Sequence, residues 1–256
     1  MNHQPVKTSD LARVLRSVHE LMHRDFGTPG MALLHGPPGI GKTTALTYTV
    51  NAMRGVYVRA KVTWSVTSML QELCRELHVE AHRHRHPMIE QIIASLSADE
   101  RPIVLDEADY LFRQRRGMTE MLDALRDIYD TAGVPVVIVG MEDLDKTLRT
   151  ARLSRFDRRM ARIEMRGLTV ADTQLVAGTL CEVPVEGALD PTNPDRPVPV
   201  EGTLVETLHS KTRGNVGRLV VLLSQLEKWA RTNQLDRITL LAAQQRGPME
   251  FTRRAA

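Results

Sequence analysis

Met31-Ala-Leu-Leu-His35-Gly36-Pro37-Pro38-Gly39-Ile40-Gly41-Lys42-Thr43-Thr44 joins a short apolar strand to a G-x-x-x-x-G-K-T loop, and a helix-compatible segment follows directly. The glycines let the backbone curl so that successive N–H groups point at an anion. The helix adds the positive end of its dipole. Lys42 brings a positive charge to the outer phosphates, and the Thr43 hydroxyl can ligate magnesium. The stretch therefore predicts a nucleoside triphosphate site formed by Gly36, Pro37, Pro38, Gly39, Ile40, Gly41, Lys42, Thr43 and Thr44.

A second motif, Ile103-Val-Leu-Asp106-Glu107, places two carboxylates after a short apolar strand. In a parallel sheet such a strand ends beside the phosphate loop, so Asp106 is predicted to hold Mg²⁺ and Glu107 to act as general base on the attacking water. On its own the motif could equally be a strand that runs into a solvated acidic turn. Its position about sixty residues after the phosphate loop favours the catalytic interpretation.

These motifs exclude several nucleotide-dependent classes. Small-molecule kinases usually lack the second carboxylate, and the letters Asp106-Glu-Ala-Asp109 do not make a DEAD-box helicase, because the residues after 167 show no second set of apolar strands. The GTPase pattern N-K-x-D and the transporter pattern L-S-G-G-Q are absent. We therefore expect an ATPase with ATP and Mg²⁺ as its ligands.

Composition predicts a globular cytoplasmic protein. The 256 residues are 42% hydrophobic and 25% charged, and the net charge of +3 permits a nucleic-acid partner without requiring one. The two cysteines, Cys74 and Cys181, cannot form a metal or disulfide framework. The N-terminus has no apolar signal segment, and no apolar run approaches the roughly 20 residues that cross a bilayer. No membrane association is expected.

The order of patterns predicts an α/β fold followed by helices. Continuous apolar strands are expected at 31–35, 55–59, 103–105 and 134–139, and helical segments alternate with them, which is typical of a parallel sheet with helices on both faces. Residues 1–167 are therefore predicted to form the nucleotide-binding core with an N-terminal helix. Residues 168–256 are predicted to form a small helical lid domain with a proline-rich loop at about 183–199.

At this point the chain resembles the AAA+ ATPases, which combine an α/β core, a helical lid and arginines that complete a neighbour's site. The stretch Val136-Val-Ile-Val-Gly140-Met-Glu-Asp-Leu144 is similar to the strand that carries sensor 1. Met141 occupies the position where a polar residue is expected, with Glu142 or Asp143 as substitutes.

Two further stretches carry the resemblance. The run Arg152-Leu-Ser154-Arg155-Phe156-Asp-Arg158-Arg159 resembles the arginine-finger segment, with Arg155 as the finger and Arg152 and Arg158 as alternatives; it could also be a basic surface turn. The run Thr212-Arg213-Gly214-Asn215-Val-Gly217-Arg218-Leu219 resembles sensor 2, in which Arg218 reaches the phosphates. An ordinary helix cap with a surface arginine is the other interpretation.

Within this family, residues of about 20–235 resemble the MuB and TnsC type of transposition regulators. The resemblance implies an ATP-dependent regulator that selects targets and activates a transposase, as an oligomer or helical filament on double-stranded DNA, in a bacterium or from a phage or mobile element. The implied partners are duplex DNA, bound largely without sequence preference, a transposase, and further copies of the chain. Contacts with DNA phosphates are expected from basic and polar loop residues, namely Lys61, Thr63, Arg113, Arg115 and Arg116.

Two alternatives stay open. An AAA+ helicase loader or a protein-remodelling adaptor would use the same motifs on a protein partner, and a monomeric nucleotide switch would need no second copy. The histidine-rich stretch His82–His86 is interpreted as a surface loop, because it has no helical i,i+4 ligand geometry or acidic partner that would fix a metal.

Overall fold

The computed structural model describes residues 5–25, 27–113, 118–149, 153–190 and 201–246. It divides into two compact units, which we call the core unit and the helical unit. The core unit comprises Arg13–Pro38 and Lys42–Met165, and the helical unit comprises the described residues of Met1–Ala12, Gly39–Gly41 and Arg166–Ala256. The first residues and the apex of the glycine-rich loop thus group with the C-terminal helices, and the predicted division into residues 1–167 and 168–256 stays a prediction.

The core unit is built on a five-stranded sheet in which every pairing is parallel. The strand order is β2-β3-β4-β1-β5, so β2 and β5 form the edges. The strands are β1 Met31–His35, β2 Val56–Arg59, β3 Ile103–Asp106, β4 Val136–Gly140 and β5 Met160–Glu164. All residues of β3 and β4 are buried, as continuous apolar runs in a doubly covered parallel sheet require. The predicted α/β architecture is confirmed.

Helices connect these strands. In chain order they are α1 Ser9–Met22, α2 Lys42–Met53, α3 Val66–Glu76, α4 Arg85–Ala98, α5 Asp109–Arg113, α6 Met118–Ala132, α7 Glu142–Leu148 and α8 Ser154–Asp157. The apolar stripe of α3 is fully buried at Met69, Leu70 and Leu73, and α3, α4 and α6 pack on one another. Two of the shortest helices, α5 and α7, follow the carboxyl ends of β3 and β4, where a site is expected, whereas α8 precedes the start of β5.

Strand β5 was not predicted. Its sequence, MARIE, has only two large apolar residues, Met160 and Ile163, and both are buried, whereas Glu164 is exposed. An edge strand with one neighbour needs fewer buried positions than a central strand, so its apolar pattern is short.

The helical unit contains α9 Val170–Leu180, α10 Leu204–Thr212, α11 Val216–Thr232 and α12 Leu240–Arg246. The predicted helical region after the core is therefore present; part of the proline-rich loop, residues 191–200, lies outside the described residues. Asp172 joins the start of the chain to this unit, because it accepts hydrogen bonds from the Ser9 N–H (2.7 Å) and hydroxyl (2.5 Å). Burial alone would raise the pKa of Asp172, but the bonds from Ser9 and Thr169 keep it below its ordinary value.

No helix among the described residues is both long and apolar enough to span a membrane.

Candidate nucleotide-binding site

The glycine-rich loop leaves β1 and enters α2, as its sequence predicts. Gly39 and Gly41 adopt φ values of +74° and +100°, a region that disfavours residues with a side chain, whereas Gly36 does not. Lys42 is the first residue of α2. Its ammonium donates to the carbonyl oxygens of Gly36 (2.7 Å) and Pro37 (3.0 Å). Because an ammonium has three N–H donors, one is left for an anion in the loop.

The charge of Lys42 is balanced by its surroundings. Burial lowers the pKa of this lysine, and the negative charges of Asp109, Asp106 and Glu142, in that order of strength, oppose the effect. Three carboxylates around one half-buried ammonium also make the site unfavourable for a bare triphosphate. The arrangement therefore suits an anion that arrives with a divalent cation.

Asp106, the last residue of β3, is held in place by two hydrogen bonds. Its Oδ1 accepts the Glu107 N–H (2.8 Å) and its Oδ2 accepts the Tyr57 hydroxyl (2.9 Å). Burial, followed by the nearby Asp106 charge, raises the pKa of Tyr57 and keeps it protonated as a donor. The Thr43 hydroxyl lies 3.5 Å from Asp106 Oδ2. The predicted Mg²⁺ ligands are therefore neighbours.

This donor set fits magnesium. Mg²⁺ is usually held by one or two protein oxygens together with phosphates and water, and one hydroxyl and one carboxylate supply such a set. Within the described residues, no cluster of three or more histidine, cysteine or acidic side chains forms an independent metal site. The histidine-rich stretch differs from the expected surface loop, because His86 belongs to α4 and has an acidic partner at i,i+4, Glu90, at 3.3 Å. His82 bonds to Gln91 (2.8 Å).

Glu107 is held in an unusual conformation. Its φ is +53°, a left-handed backbone that costs a non-glycine residue about 1–2 kcal/mol. Its carboxylate forms an ion pair with the Arg59 guanidinium, at the end of the neighbouring strand β2. Tyr57 and Arg59 are two residues apart on β2 and therefore share a strand face. Because Arg59 stands opposite Asp106 in the β2–β3 register, the two side chains reach Asp106 and Glu107. Sequence reasoning missed both partners, since neither belongs to a motif.

The end of β4 has no polar side chain at position 141, where the resemblance leads us to expect the sensor 1 residue. Met141 is 44% exposed, and its N–H is bound by the carboxylate of Asp109. Glu142 and Asp143 are the two alternatives for sensor 1. Asp143 is exposed and pairs with Lys146 (3.0 Å), whereas the negative charge of Glu142 raises the pKa of Lys42. Glu142 is thus the one of the two whose charge acts on Lys42.

The arginine segment, residues 152–159, ends in a turn that Arg162 holds by hydrogen bonds and ion pairs. Phe156 of α8 is fully buried, and the turn after it carries Arg158, which is exposed and has no hydrogen bond or ion pair among the described residues. Arg162 of β5 holds this turn, because its guanidinium donates to the carbonyls of Asp157 (3.1 Å) and Met160 (2.7 Å) and pairs with Asp157 and Asp145. Arg152 lies outside the described residues, as does the side chain of Arg155, the residue chosen as the finger.

Within the helical unit, the loop apex meets the start of α11. The Gly217 N–H donates to the Gly39 carbonyl (2.9 Å), and a Cβ at Gly39 would lie 3.0 Å from the Asn215 side chain. Asn215 caps α11 by accepting the Arg218 N–H (3.0 Å). Arg218, the predicted sensor 2, is exposed and begins the same helical turn. The glycines at 39 and 217 allow this close approach.

The predicted DNA contacts are only partly described. Lys61 is 57% exposed and lies 3.5 Å from Glu72, and Thr63 is exposed beside the buried Trp64. Together with Arg75, which also pairs with Glu72, these residues line one cleft. Arg113 ends α5 but its side chain is not described, and Arg115 and Arg116 lie outside the described residues.

Comparison with solved structures shows the fold. The chain is similar to the ORC2 protein of Aeropyrum pernix, described with ADPNP and ADP, at 13% identity and a TM-score of 0.65, over 93% of this chain and 68% of that one. A Walker-type ATPase of Pyrococcus abyssi matches at 15% identity and a TM-score of 0.61, over 99% and 79%. The ORC1 protein of Aeropyrum pernix in complex with DNA matches at 18% identity and a TM-score of 0.55, over 92% and 63%.

Comparison by sequence finds one match, which covers part of the chain. No curated protein matches the chain at a significant level. A family model described as an AAA domain matches residues 23–148, which include the glycine-rich loop, Asp106, Glu107 and the end of β4. The parallel sheet and the helical region after it match the fold of the AAA+ P-loop ATPases, and residues 23–148 are similar to an AAA domain.

Proposed function

We propose that this chain is an ATP-dependent DNA-binding regulator of DNA transposition, which assembles on duplex DNA and directs a transposase. The observation that carries the ATPase part is the set of groups at the ends of β1 and β3: the loop-bound ammonium of Lys42, the Thr43 hydroxyl beside Asp106, and Glu107 next along the chain. The transposition part rests on the sequence resemblance to the MuB and TnsC type.

In this proposal the loop N–H groups and Lys42 bind the phosphates of ATP, and Thr43 and Asp106 hold Mg²⁺. The cation, when bound, neutralises phosphate charge. Glu107 accepts the proton of the attacking water, and the hydrogen bonds on Asp106 keep its carboxylate oriented while this happens. The left-handed backbone at Glu107 supports this role, since strained conformations concentrate at functional sites.

Arg59 is proposed to restrain Glu107. Their ion pair occupies the carboxylate with a guanidinium, so a water molecule must displace Arg59 before Glu107 serves as base. Replacing Arg59 by alanine is therefore expected to raise basal ATP turnover several-fold, measured by phosphate release. Arg54→Ala is the matched control, because Arg54 forms a similar exposed pair with Asp99. Unchanged or reduced turnover in Arg59→Ala would contradict the restraint.

Assembly is proposed to place Arg155 of one protomer at the ATP of the next, with Arg218 reaching the phosphates through the first turn of α11. Two contacts support these roles. The brace from Arg162 fixes the turn that follows the arginine segment, and a fixed cation stabilises developing charge better than a mobile one. The bond between Gly217 and Gly39 brings the first turn of α11 to the loop apex.

DNA is proposed to lie along the β2–α3 loop. Lys61 and Thr63 are exposed there and hold phosphates without reading bases, so binding should weaken steeply as salt rises. The fold shared with an ORC1 protein that was solved with DNA is consistent with a DNA partner. With an aromatic content of only 4%, base stacking is not expected to dominate.

Electron microscopy tests the proposal directly. The chain with Mg²⁺, a slowly hydrolysed ATP analogue and duplex DNA at low salt is expected to form filaments, and the same mixture with ADP is expected to form few. Lys61→Glu should reduce filament formation on DNA while leaving nucleotide binding unchanged. If nucleotide-bound protein forms no assembly on duplex DNA at low salt, the proposal is wrong.

The same samples separate the alternatives. A helicase loader would prefer single-stranded DNA or a helicase ring in competition with duplex DNA. In a monomeric switch Arg155→Ala would leave hydrolysis unchanged, whereas a shared site predicts a large loss, since arginine fingers contribute about 10³–10⁵ in rate.

A further inference from the structure

Asp109 occupies a position that the ATPase motifs leave without a role. It begins α5, directly after the β3 carboxylates, and its side chain turns to the neighbouring strand β4. Both of its carboxylate oxygens accept the Met141 N–H, at 3.1 and 3.0 Å. The preceding residue strengthens the same junction, because the Ala108 N–H donates to the Val139 carbonyl at 2.9 Å. Residues 108–109 therefore bind the end of β4 at two points, the Val139 carbonyl and the N–H of the residue that follows the strand.

The packing around this contact leaves no room for a side chain at position 140 unless Leu144 or Asp109 shifts. A Cβ there would lie 2.9 Å from Asp109 Oδ2 and 2.4 Å from Leu144 Cδ2. Glycine at this position thus lets the backbone of β4 lie close to the carboxylate, with Leu144 of α7 on the other side. Met141, the N-cap residue of α7, has no side-chain acceptor for the helix. The N–H of Met141 is bound by the Asp109 carboxylate of α5.

Asp109 also lies within electrostatic reach of the phosphate lysine. Among the carboxylates that act on Lys42 it has the largest effect on the lysine's pKa, ahead of Asp106 and Glu142. One side chain therefore connects the end of β4 with the residue that grips phosphates.

We propose that Asp109 is a positioning residue of the ATPase site, which fixes the end of β4 and the first turn of α7 against the phosphate-binding lysine. The inference rests on the ATPase activity proposed above. In this role Asp109 acts through the backbone that it binds: it sets the place of Glu142 and of the strand end that, with Asp106 and Glu107, borders the reacting phosphate. Lys42 keeps its two bonds to the loop without Asp109, so the loop's grip on a diphosphate should not depend on it.

Three variants of the full chain test this. Asp109→Ala removes the acceptor and is expected to lower kcat by at least about tenfold, while ADP affinity stays within about threefold, because misplacement of site groups costs turnover more than binding. Asp109→Asn keeps one oxygen for the Met141 N–H and should recover a large part of kcat. Asp143→Ala, the control on the same short helix, removes an exposed carboxylate and should behave as wild type.

Hydrogen exchange supplies a readout that does not depend on turnover. In Asp109→Ala, peptides that cover 141–148 should lose protection, peptides of α6 should not, and Asp109→Asn should keep most of the protection. A kcat within about twofold of wild type in folded Asp109→Ala overturns the inference, and so does equal protection of 141–148 in both proteins. If Asp109→Ala does not fold, the Asn variant decides by the same two measurements. Wild type without ATP turnover would overturn the proposed function itself, and the inference with it.

Discussion

Lys42→Ala is expected to abolish nucleotide binding. The ammonium of this lysine spans the loop through the Gly36 and Pro37 carbonyls, so its remaining donor points a full positive charge at the space that the loop encloses. A hydrogen bond to a charged group contributes about 1.5–3 kcal/mol, and each 1.4 kcal/mol corresponds to a tenfold change in affinity. With this contact and the positive charge lost, the dissociation constant for ATP should rise by about 100-fold or more, measured by titration with a fluorescent ATP analogue.

The control for this variant is Lys146→Ala. Lys146 is an exposed lysine that pairs with Asp143, and its removal should leave ATP affinity unchanged. Lys42→Arg keeps the charge but not the compact ammonium, so partial binding is expected from it. Thermal unfolding of Lys42→Ala checks that the α/β fold persists. If a folded Lys42→Ala binds ATP with an affinity close to wild type, the nucleotide site has been assigned to the wrong residues.

Glu107→Gln is expected to preserve ATP binding and stop hydrolysis. Glutamine has the same shape, can accept a bond from Arg59 as the carboxylate does, and leaves the bond between the residue's N–H and Asp106 intact. It cannot accept a proton from water. Since a general base contributes about 10²–10⁴ in rate, turnover should fall by at least 100-fold, and the ATP-bound assembly on DNA should persist. Phosphate release and filament lifetime measure the two effects.

Glu90→Gln is the matched control, because Glu90 is an exposed carboxylate of α4 that belongs to neither motif, and it should behave as wild type. Asp106→Asn separates the two carboxylates: it should weaken the dependence of nucleotide binding on Mg²⁺, which Glu107→Gln leaves intact. Turnover of Glu107→Gln near the wild-type rate would remove Glu107 from the mechanism.

The patterns that predicted the fold correctly are local ones. The glycine-rich loop is recognisable because its chemistry needs particular residues at consecutive positions, and strands β1, β3 and β4 are recognisable because burial on both faces leaves uninterrupted apolar runs. Strand β5 escaped notice, since an edge strand whose middle residue is Arg162 has no such run. Only the structure shows what Arg162 does: its guanidinium donates to backbone carbonyls of the turn that precedes β5.

By itself, the sequence determined the glycine-rich loop, the two consecutive carboxylates at the end of β3, the α/β architecture and the helical region that follows it. Only the tertiary structure decided which side chains from other elements bind these site residues. Tyr57 and Arg59 reach Asp106 and Glu107 because β2 and β3 are neighbours in a particular register, and Asp109 reaches Met141 because β4 lies on the other side of β3. Contacts of this kind join residues tens of positions apart, and no periodicity within a single segment encodes which strands become neighbours.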